Sequence, residues 1–329
     1  MMRRVLLPLT PLYAAVVAAK NAVYDRGTAK VLRLNWPVIS VGNISVGGSG
    51  KTPFVICLAK LLLRQGIHVD VLSRGYGRSS GVVERVDPAG DADRFGDEPL
   101  LITQSADVPV YVGANRYDAG VLAEKEQVEP GIHLVDDGFQ HRKLARTIDI
   151  VLVHRSDFTE SLLPAGRLRE LIGSLERASV LVLREEDSDL EAELRQREIE
   201  KPIWRVRRLI AVPENLERVA AFCGIAYPDE FFQMLRLRDV QVIEMKAFLD
   251  HHRYDESDMR ELIHLAQSQN ANSFLTTEKD FVRLSPKQKE ILNSIAALKV
   301  AKLETVLSDE AAALSYLETL LPASFARSL

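Results

Sequence analysis

Gly42-Asn-Ile-Ser-Val-Gly-Gly-Ser-Gly-Lys-Thr52 is a glycine-rich turn that lies between an apolar run and a helical stretch. The end of this turn is typical of a P-loop, in which backbone N–H groups of the turn and of the helix N-terminus bind phosphate oxygens. Lys51 is expected to reach the β and γ phosphates, and Thr52 to bind Mg²⁺. Ser45 replaces the first glycine of the general pattern, but the later glycines can supply the turn. The sequence therefore predicts a nucleotide site formed by Gly47, Gly48, Ser49, Gly50, Lys51 and Thr52.

Short β-rich runs alternate with helical stretches from residue 38 onward. Such alternation predicts an α/β fold of the P-loop NTPase type, with a mostly parallel sheet covered on both faces. The polar, glycine-rich stretch 75–96 is too long for a plain connection and is interpreted as a functional loop. Buried strands are expected at 38–41, 68–72, 108–112, 132–135, 148–153 and 180–183, with helices at 52–64 and 115–126.

A second, smaller α/β unit is expected after the acid-rich run 185–193. Two β-like runs, 203–210 and 297–303, bracket this unit and are expected to pair as a two-strand hinge. The last helix, 308–320, is expected to return to the first unit. The predicted organisation is an N-terminal helix (1–30), a P-loop domain (31–202), a smaller domain with hinge strands (203–303) and a C-terminal helix (304–329).

The composition restricts the class of protein. Of 329 residues, 47% are apolar and 27% are charged, which excludes wholesale disorder and a polytopic membrane protein. The net charge of −4 argues against a dedicated nucleic-acid binder. The two cysteines, Cys57 and Cys223, cannot form a disulfide framework or a zinc site of their own, and a reduced cytosol is the expected compartment.

The N-terminus is basic and apolar. Residues 1–40 contain six basic residues and one acid, and residues 5–19 are uncharged. This run is shorter than the roughly 20 residues that a bilayer span requires, and it contains two prolines. A secretory signal is an alternative, because Arg3 and Arg4 precede the run, but the nucleotide motif disfavours an extracytoplasmic protein.

A monotopic helix explains the same segment. Pro11 suits a helix start and Gly27 a position just past its end. The apolar face would lie at the surface of an anionic leaflet. The alternative is a helix packed on the core of its own protein. The residues that would share the apolar face are Leu12, Val16, Ala19 and Val23.

Two acids follow the predicted strand 132–135. The carboxyl ends of parallel strands face the ligand crevice, where a P-loop enzyme binds its Mg²⁺. Asp136 and Asp137 are therefore candidate metal ligands, and adjacent acids in an extended segment point to opposite sides. Capping of a helix is the other interpretation of the two acids. Gln140 and His141 follow directly and supply polar groups at the same edge.

Further polar residues follow the strand 68–72. Arg74 and Arg78, in Ser73-Arg-Gly-Tyr-Gly-Arg78, form a glycine-rich loop that could bind phosphate bidentately. Gly96-Asp-Glu-Pro99 ends the same long loop, and its acids are interpreted as a helix N-cap or as a general base.

These motifs together resemble those of one enzyme family. The ordered motifs GNISVGGSGKTP, SRGYGR, GDEP, VGANR, VDDGFQHR, PAGRLRE, DHHRY and TTEKDFVRL are similar to those of the tetraacyldisaccharide 4′-kinases of lipid A synthesis, over about residues 5–285. Ser45 lies inside this family's own variant of the P-loop. Residues 221–228 match more loosely, and Arg167 departs from the family's usual residue in the PAG motif.

The resemblance implies a kinase that uses ATP and Mg²⁺ to phosphorylate the 4′-hydroxyl of a tetraacyldisaccharide 1-phosphate, giving lipid IVA. It also implies a peripheral or monotopic enzyme on the cytoplasmic side of the inner membrane, with no nucleic acid and no obligate protein partner. Asp97 matches the catalytic acid of the family, and His251, rather than His252, matches its partner, so hinge closure is expected to assemble the site with Lys51. Candidate substrate-binding residues are Arg74, Arg78, Arg116, Gln140, His141 and Arg169.

Two other functions are alternatives to this kinase. A P-loop GTPase or metallochaperone-type switch should carry an Asn/Thr-Lys-x-Asp motif, and Thr277-Glu-Lys-Asp280 fails this spacing because Glu278 lies where Lys is expected. A soluble small-molecule kinase would leave the N-terminal helix packed internally. Residues 276–280 are interpreted as holding the geometry of their own loop.

Overall fold

A single mixed sheet runs through the protein. The computed structural model describes residues 2–48 and 50–326, and the strands in these ranges form one sheet in the order β10-β9-β11-β12-β8-β7-β6-β1-β5-β2-β4-β3. Most neighbouring strands are parallel, so the predicted α/β fold with a mostly parallel sheet is confirmed. The strands are β1 Val38–Asn43, β2 Val69–Ser73, β3 Glu84–Arg85, β4 Val110–Val112, β5 Ile132–Asp136, β6 Ile148–Leu152, β7 Val180–Arg184, β8 Ile203–Ala211, β9 Val219–Cys223, β10 Val242–Ala247, β11 Ser273–Thr277 and β12 Ala297–Leu307.

Helices cover both faces of this sheet. A 3₁₀ segment, Met2–Leu9, precedes the first α-helix. The buried face of the second α-helix, which carries Phe54, Val55, Leu58 and Leu62, packs into the main core beneath β1 and β5. The α-helices are α1 Thr10–Asp25, α2 Lys51–Arg64, α3 Ala92–Phe95, α4 Asp97–Ala106, α5 Arg116–Glu126, α6 Leu190–Gln196, α7 Pro228–Arg236, α8 Glu256–Ser268, α9 Glu278–Arg283, α10 Pro286–Ile295, α11 Glu310–Leu320 and α12 Ala323–Ala326.

The strands β8 and β12 form an antiparallel pair that joins the two halves of the sheet. Six residue pairs, from Lys302–Ala211 to Leu307–Val206, make up this ladder. The parallel strand β7 reaches β8 at one end of the ladder, and the parallel strand β11 reaches β12 at the other end. Because β8 and β12 run in opposite directions, the carboxyl ends of the strands in the two units face each other across the ladder.

The chain returns to the first unit after β12. Ala313 and Leu317 of α11 are fully buried in the same hydrophobic cluster as the inner face of α2. β12 is longer than the predicted 297–303 and continues to Leu307, because residues 302–307 pair with β8 along the whole ladder. The predicted loop 75–96 contains the short β3 and α3. α4 begins directly after this loop, as the N-cap interpretation of Gly96-Asp-Glu-Pro99 implies, but Gly96 is its N-cap and the two acids lie in its first turn.

α1 lies on the surface of the first unit, and none of its residues is buried. Its inner side contacts the first unit through Tyr13, whose hydroxyl donates to the Arg169 carbonyl at 3.1 Å, and through Asn21, whose amide donates to Glu170 at 2.7 Å. The expected apolar face, with Leu12 66% and Val16 60% exposed, points away from the protein. One side of the helix packs on the protein, where Tyr13 and Ala14 lie against a hydrophobic cluster, while the predicted apolar face stays exposed.

His133 of β5 is a fully buried charged group. Its Nδ1 lies 2.8 Å from Asp70 Oδ1, its Nε2 lies 3.4 Å from Glu124, and its ring stacks on Trp36. Burial alone would lower the pKa of His133, but the carboxylates of Asp70 and Glu124 outweigh it and raise the pKa to about 9. A histidine that binds its proton more tightly in the folded protein than in the unfolded chain contributes to the free energy of unfolding. The contribution is complete below the pKa of the unfolded state, and it is lost as the pH rises through the pKa of the folded state.

We predict that His133→Gln destabilises the protein most at low pH. The free energy of unfolding should fall by on the order of 3 kcal/mol more at about pH 6 than at about pH 10, because a shift of one pKa unit corresponds to about 1.4 kcal/mol. Urea unfolding at the two pH values measures this difference. His264, which is exposed on α8, offers the control His264→Gln. A deficit that is the same at both pH values would contradict the assignment of a charged His133.

Candidate active site

The glycine turn after β1 is shaped for an anion. Gly47 has φ 103° and Gly50 has φ 84°, left-handed conformations that favour glycine. Gly50 precedes α2 without a side-chain cap, so no side chain competes for the N–H groups at the start of this helix. Lys51 Nζ lies 3.1 Å from Asn43 Oδ1 and 3.5 Å from Asp137 Oδ1. The turn therefore presents backbone donors and one cation to the carboxyl edge of the sheet. Ser49 lies outside the described residues.

Asp136 and Asp137 have opposite environments at the end of β5. Arg169 Nη1 donates to both Asp137 oxygens at 2.8 and 2.7 Å. Burial would raise the pKa of Asp137, but Lys51 and Arg169 outweigh it and lower the pKa to about 2. Burial, together with the neighbouring carboxylates of Glu98 and Asp137, raises the pKa of Asp136 well above its ordinary value. Asp137 is thus a fixed anion, whereas at Asp136 the charges of Lys51 and Lys279 offset burial and the neighbouring acids only in part.

Asp136 is the better placed of the two acids for a metal ion. It is 2% exposed, and its Oδ1 has no hydrogen-bond partner among the described residues. Thr52 is also buried at the start of α2. Nowhere in residues 2–48 and 50–326 do three or more His, Cys, Asp or Glu side chains form a metal cluster. A divalent ion here would thus need the oxygens of Asp136 and Thr52 together with phosphate or water oxygens.

Asp97 and His251 meet although they belong to different units. Asp97 is the first residue of α4, and its Oδ2 lies 2.9 Å from His251 Nδ1. The same oxygen accepts bonds from Arg283 Nε at 2.8 Å and from Arg283 Nη2 at 2.5 Å. Burial would raise the pKa of Asp97, but the hydrogen bond from His251 and the charges of Lys279 and Arg283 hold it well below its usual range. Asp97 Oδ1 accepts only the backbone N–H of Glu98 among the described donors, so it retains a lone pair for a ligand.

The structure distinguishes the two adjacent histidines. His251 has φ 58° and lies close to the Tyr76 ring, at a centroid distance of 6.0 Å. His252 turns the other way, with its Nε2 2.8 Å from Asp258 Oδ2 and its ring stacked on Phe248. His251 therefore belongs to the cleft, and His252 belongs to the packing of the second unit.

α9 connects the second unit to Asp97 and its neighbour Glu98. Lys279 Nζ donates to Glu98 Oε1 at 2.9 Å, and it lies 3.5 Å from His251 Nε2. Asp280 is fully buried and accepts bonds from the Gly224 N–H, the Tyr254 hydroxyl and Arg283 Nη1. The residues after β11 thus fix their own loop and also reach across the cleft. This second contact was not expected from the sequence, and the complete burial of Asp280 keeps it from reading a guanine base.

The predicted substrate-binding residues divide into two groups. Gln140 Nε2 donates to the Asn43 carbonyl at 2.8 Å, and its Oε1 lies 3.3 Å from Arg169 Nη1. Arg116 is buried beside Asp137, and burial lowers its pKa to about 10. Burial and the charge of Arg116 lower the pKa of His141 to about 4. These four residues adjoin the Asp137 region.

The two remaining arginines of the predicted set lie in the loop after β2. Arg74 is exposed next to Arg116 and influences its pKa. Arg78 donates to the Val82 carbonyl at 2.8 Å and lies beside Glu84. The structure therefore brings Arg74, but not Arg78, toward the Asp137 region.

Comparison with known proteins places this cleft in one family. The family profile described as tetraacyldisaccharide-1-P 4′-kinase (LpxK) matches residues 2–321. The chain belongs to this family. A tetraacyldisaccharide 4′-kinase from Koribacter versatilis is 43% identical over 318 residues, covering 93% of this chain and 96% of the relative. The Aquifex aeolicus enzyme of the same name is 37% identical over 301 residues, with coverages of 86% and 90%.

A solved structure of the family shares the fold. LpxK from Aquifex aeolicus, in a crystal structure described as a complex with ATP, superposes with a TM-score of 0.77 and 31% sequence identity. The match covers 98% of this chain and 100% of that chain. The resemblance found in the sequence motifs therefore extends over the whole length of both proteins.

Sequence reasoning on this kinase missed Glu98, Lys279 and Arg283. Glu98 stood in the acidic motif at the start of α4, but only its neighbour Asp97 was assigned a role. Lys279 and Arg283 lie in TTEKDFVRL, where the spacing of four residues places both on one face of α9. That spacing was a usable signal, but the sequence does not show which acids the two cations face.

We predict that Arg283→Gln destabilises the kinase by roughly 3–5 kcal/mol, because it leaves the buried carboxylates of Asp97 and Asp280 without their cation. Arg253, whose side chain is 71% exposed, pairs with Asp93 across the same two units and provides the matched control. Arg253→Gln should cost less than about 1 kcal/mol. An equal decrease in the free energy of unfolding of both variants, measured with urea, would show that the buried ion pairs of Arg283 stabilise the protein no more than the exposed pair of Arg253.

Proposed function

We propose that the chain transfers the γ-phosphoryl group of ATP to the 4′-hydroxyl of a tetraacyldisaccharide 1-phosphate, next to a membrane surface. The observation that carries this proposal is the contact of Asp97 with His251 across one cleft, next to Glu98, whose pKa is lowered in part by the charge of Lys51 from the glycine turn, within a chain of the 4′-kinase family. The 4′-oxygen attacks the γ phosphorus, the bond to ADP breaks, and the hydroxyl proton passes to the enzyme. The products are ADP and the 1,4′-bisphosphorylated glycolipid.

Asp97 receives the hydroxyl proton in this proposal. Its Oδ1 is the carboxylate oxygen with a remaining lone pair, while Oδ2 is bound by His251 and Arg283. A carboxylate within hydrogen-bond reach of a sugar hydroxyl orients it for attack and accepts its proton as the new bond forms. His251 fixes the carboxylate by donating from Nδ1, and its Nε2 is the ring nitrogen that can accept a proton.

Lys51 and Mg²⁺ neutralise the transferring group. Lys51 begins α2 next to the glycine turn, which places its ammonium at the phosphate edge of the sheet. Asp136, with its unpartnered buried oxygen, and Thr52 fit a divalent ion by their chemistry and position. When bound, Mg²⁺ would polarise the phosphate oxygens. Asp137 keeps Lys51 and Arg169 in place and is not assigned as a ligand here, since both its oxygens are already bound.

α1 is proposed to bind the surface of the membrane. Among the described residues, one helical segment, Leu6–Asp25, is long and apolar enough to cross a bilayer, with a mean hydropathy of 1.3. Its contacts argue for peripheral binding, because Lys20 donates to the Gln140 carbonyl and Arg142 binds Asp25 at 2.6 Å. A membrane span would have to break these contacts along the helix.

The same contacts connect α1 to the site. α1 touches Gln140, Arg169 and Glu170, which adjoin Asp137. Its exposed face includes Leu12 and Val16. A glycolipid that keeps its acyl chains in the cytoplasmic leaflet could therefore present its headgroup to the cleft while α1 rests on the lipid surface.

We predict that Asp97→Asn lowers turnover by on the order of 10²–10⁴, the usual contribution of general-base catalysis. The assay incubates purified protein with MgATP and tetraacyldisaccharide 1-phosphate and detects a product heavier by one phosphate. Asp93→Asn, at an exposed acid of the same loop, is the control and should keep wild-type turnover. Normal turnover in a folded Asp97→Asn variant would remove Asp97 from the base role, and no product with the wild-type chain would refute the kinase.

We predict that replacing Leu12 and Val16 by Glu weakens binding to phosphatidylglycerol vesicles at least about tenfold, because burial of each side chain contributes roughly 1.5–3 kcal/mol. Vesicle co-sedimentation measures the bound fraction. Val128 is 99% exposed and Leu237 is 75% exposed, both outside α1, so the double Glu variant at these positions is the control. Equal binding of both double variants would contradict a membrane role for α1.

A further inference from the structure

Two arginine side chains lie against the glycine turn, one at each end. A methyl group added to Gly47 would collide with Nη2 of Arg167, and one added to Gly50 would collide with Nη2 of Arg208. Arg167 comes from the loop before β7, and Arg208 comes from the hinge strand β8. Neither arginine has a role in the mechanism above.

Arg167 is fixed on the turn but lacks an ion pair. The Val46 N–H donates to the Arg167 carbonyl at 2.8 Å, and Arg167 Nε donates to the Val46 carbonyl at 3.1 Å. The guanidinium lies 5.1 Å from the centre of the Tyr227 ring, which itself stacks on His154. Within the described ranges, no carboxylate pairs with this guanidinium. The carboxylate of Asp157 senses this charge, because burial raises the pKa of Asp157 and Arg167 offsets part of that rise without forming a direct ion pair.

Arg208 is buried and shares its only described carboxylate partner. Its side chain is 13% exposed, and Nη1 donates to Glu230 Oε2 at 3.0 Å. Arg184 binds the same carboxylate at 3.2 Å. Burial and the charge of Arg184 lower the pKa of Arg208 to about 10, so the group is still charged at neutral pH. Two guanidinium groups therefore depend mainly on one acid, although Arg184 also has the exposed Glu186 at 3.7 Å.

We propose that Arg167 and Arg208 bind the phosphate groups of the nucleotide from the two ends of the glycine turn. This inference rests on the proposed function. The backbone donors of the turn bind phosphate oxygens from one side, and a guanidinium at each end adds charge-assisted hydrogen bonds. Arginine suits this task because its planar donors match phosphate oxygens in pairs.

The cavity beside the turn supports this assignment. Gly50, Arg184, Arg208 and His154 line a small recess of about 20 Å³ at the carboxyl ends of β6 and β7, which opens toward the glycine turn. A buried pair of cations with a deficit of acids is stabilised by an added anion. The phosphates approach the glycine turn at this place, so they can supply that anion.

The test is nucleotide binding by Arg167→Gln and Arg208→Gln, measured calorimetrically with ATP and with AMP in the presence of Mg²⁺. Each variant should bind ATP about 10- to 100-fold more weakly, since a hydrogen bond to a charged group contributes roughly 1.5–3 kcal/mol. AMP, which lacks the outer phosphates, should bind within about twofold of wild type. Arg155→Gln is the matched control, because Arg155 pairs with Asp187 and Asp189 at the surface of the first unit.

Several outcomes would overturn the proposal. Unchanged ATP affinity in both Gln variants would exclude a role in binding the outer phosphates, and so would an equal loss of affinity for ATP and AMP. A loss in one variant alone would exclude this role for the arginine whose replacement has no effect. If a Gln variant does not fold, Arg167→Lys and Arg208→Lys keep the charge but lose the paired donors, so each should weaken ATP binding less than about tenfold. A larger loss in the Lys variants would also contradict the proposal. A wild-type chain that fails to bind ATP would instead refute the proposed function.

Discussion

The antiparallel pairing of β8 with β12 determines where chemistry can occur in this protein. Each unit is built on parallel strands, and parallel strands present their ligand-binding loops at their carboxyl ends. The ladder of six residue pairs reverses the strand direction between the units. Thr277 ends β11 opposite Ala301, and Arg184 ends β7 opposite Val206, so the two carboxyl edges face each other from the ends of the ladder. At about 3.4 Å per residue the ladder spans roughly 20 Å, a width that a nucleotide and a sugar can occupy.

Charges in this cleft are arranged so that neighbouring acids take different roles. Asp137 is surrounded by Lys51 and Arg169 and stays ionised, whereas Asp136 has a buried oxygen without a partner. In an extended segment two successive side chains point to opposite sides, and the left-handed backbone of Asp137, with φ 51°, completes their separation. One acid can therefore orient the cations while the other is available to a metal ion.

The sequence alone predicts the parts of this structure that depend on local pattern. The glycine turn before α2, the strand before Asp136 and the pairing of the two hinge strands each follow from hydrophobic runs and turn residues, whereas the antiparallel direction of that pairing does not. Contacts across the cleft do not follow, because they join residues far apart in the chain. Arg283 and Asp97 are 186 positions apart, and only the three-dimensional arrangement shows that they pair.

The local sequence pattern also does not show which of two similar neighbouring residues lies in the site. His251 was preferred to His252 because of the family motif, and the structure gives a physical basis for a difference between them. The left-handed φ of His251 directs its ring toward Asp97, while His252 is bound by Asp258. Likewise Arg78 looked equivalent to Arg74 in a glycine-rich loop, yet it turns to the Val82 carbonyl.

The strong hold of Arg283 on Asp97 limits what kind of base this carboxylate can be. A carboxylate whose pKa is held below its usual range is a weak proton acceptor. Phosphoryl transfer tolerates a weak base, because in a loose transition state bond formation to the attacking oxygen lags behind bond breaking and its proton is lost late. The cation instead keeps Asp97 ionised over the whole physiological pH range, so a hydroxyl beside Oδ1 always meets an acceptor. In the proposed mechanism Arg283 therefore favours constant orientation of the substrate over basicity, and Nε2 of His251 is the second acceptor for the proton once the phosphorus–oxygen bond has formed.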